Sequence, residues 1–282
     1  MPNLQYRLVN VFTRGSERLS GNPLCVFEQA EGLSGPAMQA LARQFNLSET
    51  TFLLPPTLSG AHARVRIFTP RYEMPFAGHP TLGTAFVCRS LGIGGEELRL
   101  EMTAGVIPVA AQGSRWTLTA RLRAWRELSI AREQLAEGLG LVPQDIAERP
   151  LWVNAGREQL IVPLATPEAV QRAAPRPDLF ASLVSEDGSS MAFVFARAAP
   201  DALLARFFFP QGQAVLEDPA TGSAVANLGG WWLATAEPLP CELRISQGEQ
   251  IARPSTLYLR VDEGDIRVGG DVIELGRGTI TL

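Results

Sequence analysis

Arg66-Ile67-Phe68-Thr69-Pro70, at positions 66–70, returns as Arg206-Phe207-Phe208-Phe209-Pro210, at positions 206–210. The same offset of 140 residues sets Thr81 on Thr221. Four identities are a faint signal, but the order of elements around them repeats too. Before the first copy, Tyr6–Thr13 and Pro23–Glu28 read as strands, and Gly35–Phe45 has helical spacing with Met38, Leu41, Ala42 and Phe45 on one face. Thr51–Leu54 is a short apolar run closed by Pro55-Pro56, and Arg64–Thr69 alternates; both read as strands. A Gly/Pro-rich loop over 75–80 then leads into a helix over Thr81–Leu91, ended by Gly92.

The second half follows the same order. Leu151–Asn154 and Gln159–Leu164 read as strands, Asp178–Val184 as a short helix, and Met191–Ala196 and Leu203–Phe209 as strands. A loop ending in Glu217-Asp218-Pro219 precedes a helix over Ala220–Ala234. Between the halves, Ser129–Leu139 reads as a helix stopped by Gly140. This pattern predicts an α+β protein of two pseudo-symmetric domains, 1–124 and 125–270, with a terminal strand over 271–282 returning to the first. Two facing copies of one unit would form a cleft, the usual place for a small ligand.

Composition narrows the classes. At 282 residues and 46% hydrophobic content the chain suits two cores of ordinary size. A net charge of −4 offers no basic stripe for nucleic acid. No run approaches the length needed to span a bilayer, and the start, MPNLQYRLVNVFT, carries no signal-like apolar run. Cys25, Cys88 and Cys241 are odd in number and widely spaced, which predicts reduced thiols and a cytoplasmic protein. The Asn46-Leu47-Ser48 sequon therefore carries no weight. Two distant histidines, His62 and His79, supply no metal cluster, so no metal is expected. No G-x-G-x-x-G follows a strand, which speaks against a nicotinamide cofactor.

Three segments carry groups fit for chemistry. Glu49 is a carboxylate entering an apolar strand, where partial burial would suit it to proton transfer; a solvated strand start would read the same. Ala77-Gly78-His79-Pro80-Thr81 places a histidine and a small residue at a helix start whose free amides can hold an anion. Pro80 reads as the first helical residue, where its missing N–H costs nothing. Glu217-Asp218-Pro219-Ala220-Thr221-Gly222-Ser223 is the equivalent start in the second half. Asp218 there reads as an N-cap, and the small residues keep the first turn open.

The chain resembles the PhzF-like phenazine-biosynthesis protein family, within the diaminopimelate-epimerase-like superfamily. The resemblance rests on Gly21-Asn22-Pro23, Ser48-Glu49-Thr50, Glu73–Thr84 (EMPFAGHPTLGT), Asp218–Ala224 (DPATGSA), and Gln247-Gly248 with Arg253-Pro254-Ser255, and it runs nearly end to end. It implies two similar domains, each a curved, mostly antiparallel sheet around a central helix. It also implies a homodimeric isomerase that needs no cofactor and moves a proton on a small, cyclic carboxylic acid. The family's namesake acts on a dihydro-hydroxyanthranilate. By resemblance Glu49 is the general acid/base, His79 and Asp218 are its catalytic partners, and Gly78, Thr221, Gly222 and Ser223 bind substrate. Epimerase relatives use two thiols at the helix starts; no cysteine stands there in this chain. One departure is Ala252, where the family pattern leads one to expect glycine. The competing reading is a member of the family that binds small molecules or a protein without catalysis.

Overall fold

The computed structural model describes residues 3–282. The chain divides into unit 1, Met1–Leu118 with Gly269–Leu282, and unit 2, Thr119–Val268.

Unit 1 begins with β1 (Asn3–Val11) and β2 (Asn22–Phe27), followed by α1 (Gly35–Phe45), β3 (Glu49–Leu54), β4 (Ala63–Phe68) and β5 (Glu73–Met74). Then come α2 (Gly78–Ser90), β6 (Glu97–Met102), β7 (Gly105–Gln112) and β8 (Arg115–Ala120). Helix α2 is buried almost all round, from His79 to Cys88, as expected of a helix at the centre of a core. It packs on β1 to β4 and on β6. Gly83 makes that fit possible. A Cβ there would lie 2.6 Å from Leu24 Cδ2 and 2.9 Å from Val11 Cγ2, so its bareness serves packing. Helix α1 is capped by Ser34, whose hydroxyl accepts from the Ala37 amide, and it ends at Asn46 in the left-handed region.

Unit 2 contains β9 (Ala124–Glu127), α3 (Arg132–Gly138), β10 (Leu151–Asn154), β11 (Glu158–Pro163), α4 (Pro167–Arg172) and α5 (Pro177–Phe180). It continues with β12 (Ala192–Ala199), β13 (Ala202–Gln211), β14 (Ala214–Asp218), α6 (Gly222–Ala234), β15 (Cys241–Gln247) and β16 (Ser255–Val261). Helix α6 is buried from Gly222 through Trp232, apart from the half-buried Ser223. The final strand, β17 (Ile266–Thr281), lines up antiparallel with β1 from Asn3↔Thr281 to Val11↔Val272.

The strand pairings show the duplication directly. β1–β2, β3–β4, β4–β5 and β6–β7 are antiparallel, while β2–β3 and β4–β6 are parallel. In unit 2 the series returns as β10–β11, β12–β13, β13–β14 and β15–β16 antiparallel, with β11–β12 and β13–β15 parallel. Arg66 clasps Glu73 at 2.6 Å and lies over Phe68; Arg206 clasps Glu217 at 2.7 Å and lies over Phe208. Glu73 stands opposite Phe68, and Glu217 opposite Phe208.

Several sequence expectations need correction. The offset between the halves is 140 only up to the two phenylalanines. The β13–β14 hairpin is four residues longer than β4–β5, so Gly78 of α2 matches Gly222 of α6, and Thr81 is not the counterpart of Thr221. Helix α2 starts at Gly78 rather than Thr81, with Pro80 third in its first turn, where amides lack partners in any case. Helix α6 starts at Gly222 rather than Ala220. Residues 214–218 form a strand, not a loop. The helix expected over 129–139 spans only Arg132–Gly138, and that over 178–184 only Pro177–Phe180, because Asp187 ties the chain into a Ser185–Ser189 turn. Strand β3 starts two residues early, at Glu49 itself. Helix α4 is an addition, announced by Thr166-Pro167: the Thr166 hydroxyl accepts from Ala169 N at 3.2 Å.

Candidate active site

In unit 1 the tight turn into β2 sets the geometry. Asn22 opens that strand fully buried, and its Oδ1 accepts from Ser48 Oγ at 3.1 Å. The parallel pairing of β2 with β3 places Leu24 beside Glu49. Glu49 thus leaves an anchored serine and enters the sheet, its side chain 15% exposed. Across from it, His79 Nε2 lies 3.4 Å from Glu49 Oε2.

His79 is not at a solvent-open mouth, as its place at the helix start suggests, but only 7% exposed. Burial pushes its pKa down to about 3, against which a hydrogen bond to the Pro23 carbonyl acts weakly. The imidazole is therefore neutral, and the contact with Glu49 is not an ion pair at ordinary pH. A neutral ring has one N–H. With that proton on the Pro23 carbonyl, Nε2 presents a lone pair to Glu49. The sequence Asn22-Pro23 thus touches both partners, Glu49 through Ser48 and His79 through a carbonyl.

In unit 2, Asp218 is the last residue of β14 and does not cap α6. The N-cap is Thr221, which has no side-chain capping bond. Instead Thr221 Oγ1 donates to Asp218 Oδ2 at 2.5 Å. Gln247, fully buried at the end of β15, holds this turn from behind. Its Nε2 donates to the Asp218 carbonyl at 2.8 Å and to Thr221 Oγ1 at 3.0 Å, while its Oε1 accepts from Thr221 N at 3.2 Å. Gly248, at φ +81°, brings the next turn against the loop: a Cβ there would lie 2.5 Å from the Pro219 carbonyl and 2.3 Å from that of Arg253.

Ser223 Oγ accepts from Gln159 Nε2 at 3.1 Å, and Gln159 Oε1 accepts from Asn227 Nδ2 at 2.7 Å. Asn227 in turn holds the Ala155 amide and the Arg157 carbonyl. The network fixes the Ser223 oxygen as an acceptor and leaves its hydroxyl proton for another acceptor. Gln159, Asn227 and the role of Asn22 escape sequence reasoning, because isolated amides carry no spacing signature. Gln247 had a signal in Gln247-Gly248, which marked the resemblance without revealing a role.

The thiols do not compete for the chemistry. All three cysteines are buried; burial pushes the Cys88 thiol up to about 12 and raises Cys25 and Cys241 as well. Among the described residues no group of three or more His, Cys, Asp or Glu is arranged to hold a metal ion, and no helix is long and apolar enough to cross a membrane.

Fold and site together define a protein of the two-domain, epimerase-like α+β class. The family model described as "Phenazine biosynthesis-like protein" (PhzC-PhzF) matches residues 9–275, and the chain belongs to that family. It is 41% identical to an uncharacterized isomerase of Pasteurella multocida over 98% of this chain and 93% of that one. It is 35% identical to the trans-2,3-dihydro-3-hydroxyanthranilate isomerase of Pseudomonas aeruginosa, over 93% of both. Among solved structures, the Bacillus anthracis phenazine biosynthesis protein of the PhzF family superposes with a TM-score of 0.88 at 23% identity, covering all of both chains.

Proposed function

We propose that this PhzF-family isomerase moves a proton within a small, cyclic carboxylic acid, with Glu49 as general acid/base. The observation that carries the reading is the Glu49 carboxyl lying 3.4 Å from the neutral, buried His79. A carboxyl that both releases and takes up a proton at carbon needs a neighbour that does not pin it as a carboxylate. A cationic partner would do so; a neutral imidazole with Nε2 as acceptor supports the protonated form during the half-reaction in which Glu49 acts as acid. Asp218 is assigned as the third catalytic polar group. Gly78, Thr221, Gly222 and Ser223 are assigned to the substrate, with the Ser223 hydroxyl proton and the first-turn amides of α6 suited to its carboxylate. No cofactor enters this scheme. Self-association as a homodimer belongs to the same proposal and is read by light scattering.

The test is an NMR screen of cyclic carboxylates in deuterated water, including trans-2,3-dihydro-3-hydroxyanthranilate, the substrate in the name of the P. aeruginosa relative. Deuterium entering one carbon position, and lost in Glu49→Gln, supports the proposal. Ligand binding without exchange, or exchange that persists in Glu49→Gln, overturns it.

A further inference from the structure

A second candidate site lies at the other end of α6. Ser223 stands at its start and Trp231 eight residues on, a separation of about 12 Å along the axis. There, within unit 2, a cavity of about 270 Å³ is lined by Leu164, Phe195, Arg197, Trp231, Trp232 and Glu237, among others. Phe195 and Trp231 meet edge to face at 5.4 Å, and Trp231 and Trp232 at 6.0 Å. Both indole N–H groups are committed elsewhere, to the Arg149 and Pro238 carbonyls. The tryptophans therefore bring aromatic carbon, and no donor, to the cavity.

The two charges in its lining do not satisfy each other. Arg197 lies 5.4 Å over the Trp232 ring and donates to the Pro200 carbonyl, and has no carboxylate within ion-pair distance among the described residues. Glu237 is half-buried, and its carboxylate has neither a hydrogen bond nor an ion pair among the described residues. It follows closely on the C-terminus of α6, where the helix dipole also favours a cation. A guanidinium, a carboxylate and an aromatic wall around one small cavity match a ligand with a carboxylate, an ammonium and a ring.

We propose that this cavity binds a free aromatic α-amino acid: carboxylate to Arg197, ammonium to Glu237, ring against Phe195 and Trp231. The volume, about 270 Å³, lies just below the usual range of ligand pockets, which limits the occupant to a single ring. Its lining residues all belong to unit 2, whereas Glu49 and His79 belong to unit 1.

The experiment uses the full chain and four probes: L-phenylalanine, its amide, phenethylamine and 3-phenylpropionate. Binding is followed by saturation-transfer NMR and tryptophan fluorescence, in the wild type and in Arg197→Gln, Glu237→Gln and Glu49→Gln, with circular dichroism to confirm folding. L-Phenylalanine should bind tightest, and loss of either charge should weaken it about tenfold, as for a hydrogen bond to a charged group. Arg197→Gln should weaken L-phenylalanine and 3-phenylpropionate but leave phenethylamine unchanged; Glu237→Gln should do the converse. Glu49→Gln should change none of them. The proposal is overturned if L-phenylalanine does not bind at millimolar concentration, if the amide binds equally well, or if neither lining variant alters binding. Loss of binding in Glu49→Gln alone also overturns it, since the probe would then occupy the acid/base site.

Discussion

Asn22 Oδ1 accepts the Ser48 hydroxyl proton at 3.1 Å, and Ser48 is bonded directly to Glu49. A residue 26 positions upstream thereby fixes the backbone from which the proposed acid/base projects. Asn22→Ala removes the acceptor and takes a fully buried amide out of the turn into β2. The expected result is a loss of about 1–2 kcal/mol of stability in urea unfolding. Turnover should fall about tenfold with KM little changed, the mark of a displaced catalytic group. Asn22→Asp, which keeps an acceptor oxygen, should recover most of the turnover.

Glu49→Gln preserves the size of the side chain and removes its proton chemistry. Carbon-bound deuterium exchange should fall at least about 100-fold, the scale of general acid–base catalysis, while the unfolding midpoint stays near that of the wild type. An equally active variant would remove Glu49 from the mechanism.

His79 makes the pH dependence specific. Its pKa falls from 6.5 to about 3 on folding, so the native state resists a proton that the unfolded chain accepts. As pH drops below 6.5 the unfolded state binds more protons, and stability falls until the native ring itself titrates near 3. Above 6.5 this contribution is fully present. The His79 ring resonance should keep its neutral chemical shift throughout that window, and His79→Gln should flatten the slope of unfolding free energy against pH there.

The duplicated arginine–glutamate clasps should differ in strength. Arg206 and Glu217 are 13% and 6% exposed, and Arg206 also donates to the Val170, Gln171 and Ala173 carbonyls at the end of α4. Arg66 and Glu73 are 23% and 33% exposed. Arg206→Ala should cost about 3–5 kcal/mol, as for a broken buried pair. Arg66→Ala should cost about 1 kcal/mol. Equal costs in denaturant unfolding would show that burial does not separate the two.

The turn behind Asp218 yields substitutions of opposite sign. Gly248 and Ala252 both have positive φ, +81° and +55°. Gly248→Ala forces a methyl onto two carbonyls and should destabilise by about 2 kcal/mol or more. Ala252→Gly relieves a left-handed alanine and should stabilise by up to about 1 kcal/mol in thermal unfolding.

Much of this was legible in residues 66–70 and 206–210, because an alternating strand closed by proline is a local pattern. So was the Glu49–His79 pair, through the resemblance of their two segments. The four-residue difference between hairpins was not legible: its length shows only when Glu73 and Glu217 are seen in the same pairing opposite phenylalanine. Nor was the neutral state of His79, which comes from burial by strands distant in sequence. The expected Asp218 cap was a sound local inference that lost to Gln247, 29 residues away, which fixes the loop in another shape. Ala252 stood out as a departure, and the structure shows why glycine suits that position.

Strand β17 pairs Thr281 with Asn3, 278 positions apart. The whole of unit 2, residues 119–268, lies in the chain between β8's start and that pairing, so unit 1 is an interrupted domain. Its β1 gains its second neighbour only through a contact of very long sequence separation, the kind whose loop closure slows folding, whereas unit 2 is continuous in sequence. Removing residues 269–282 would therefore spare all of unit 2's sequence and strip a strand from the half that carries Glu49 and His79.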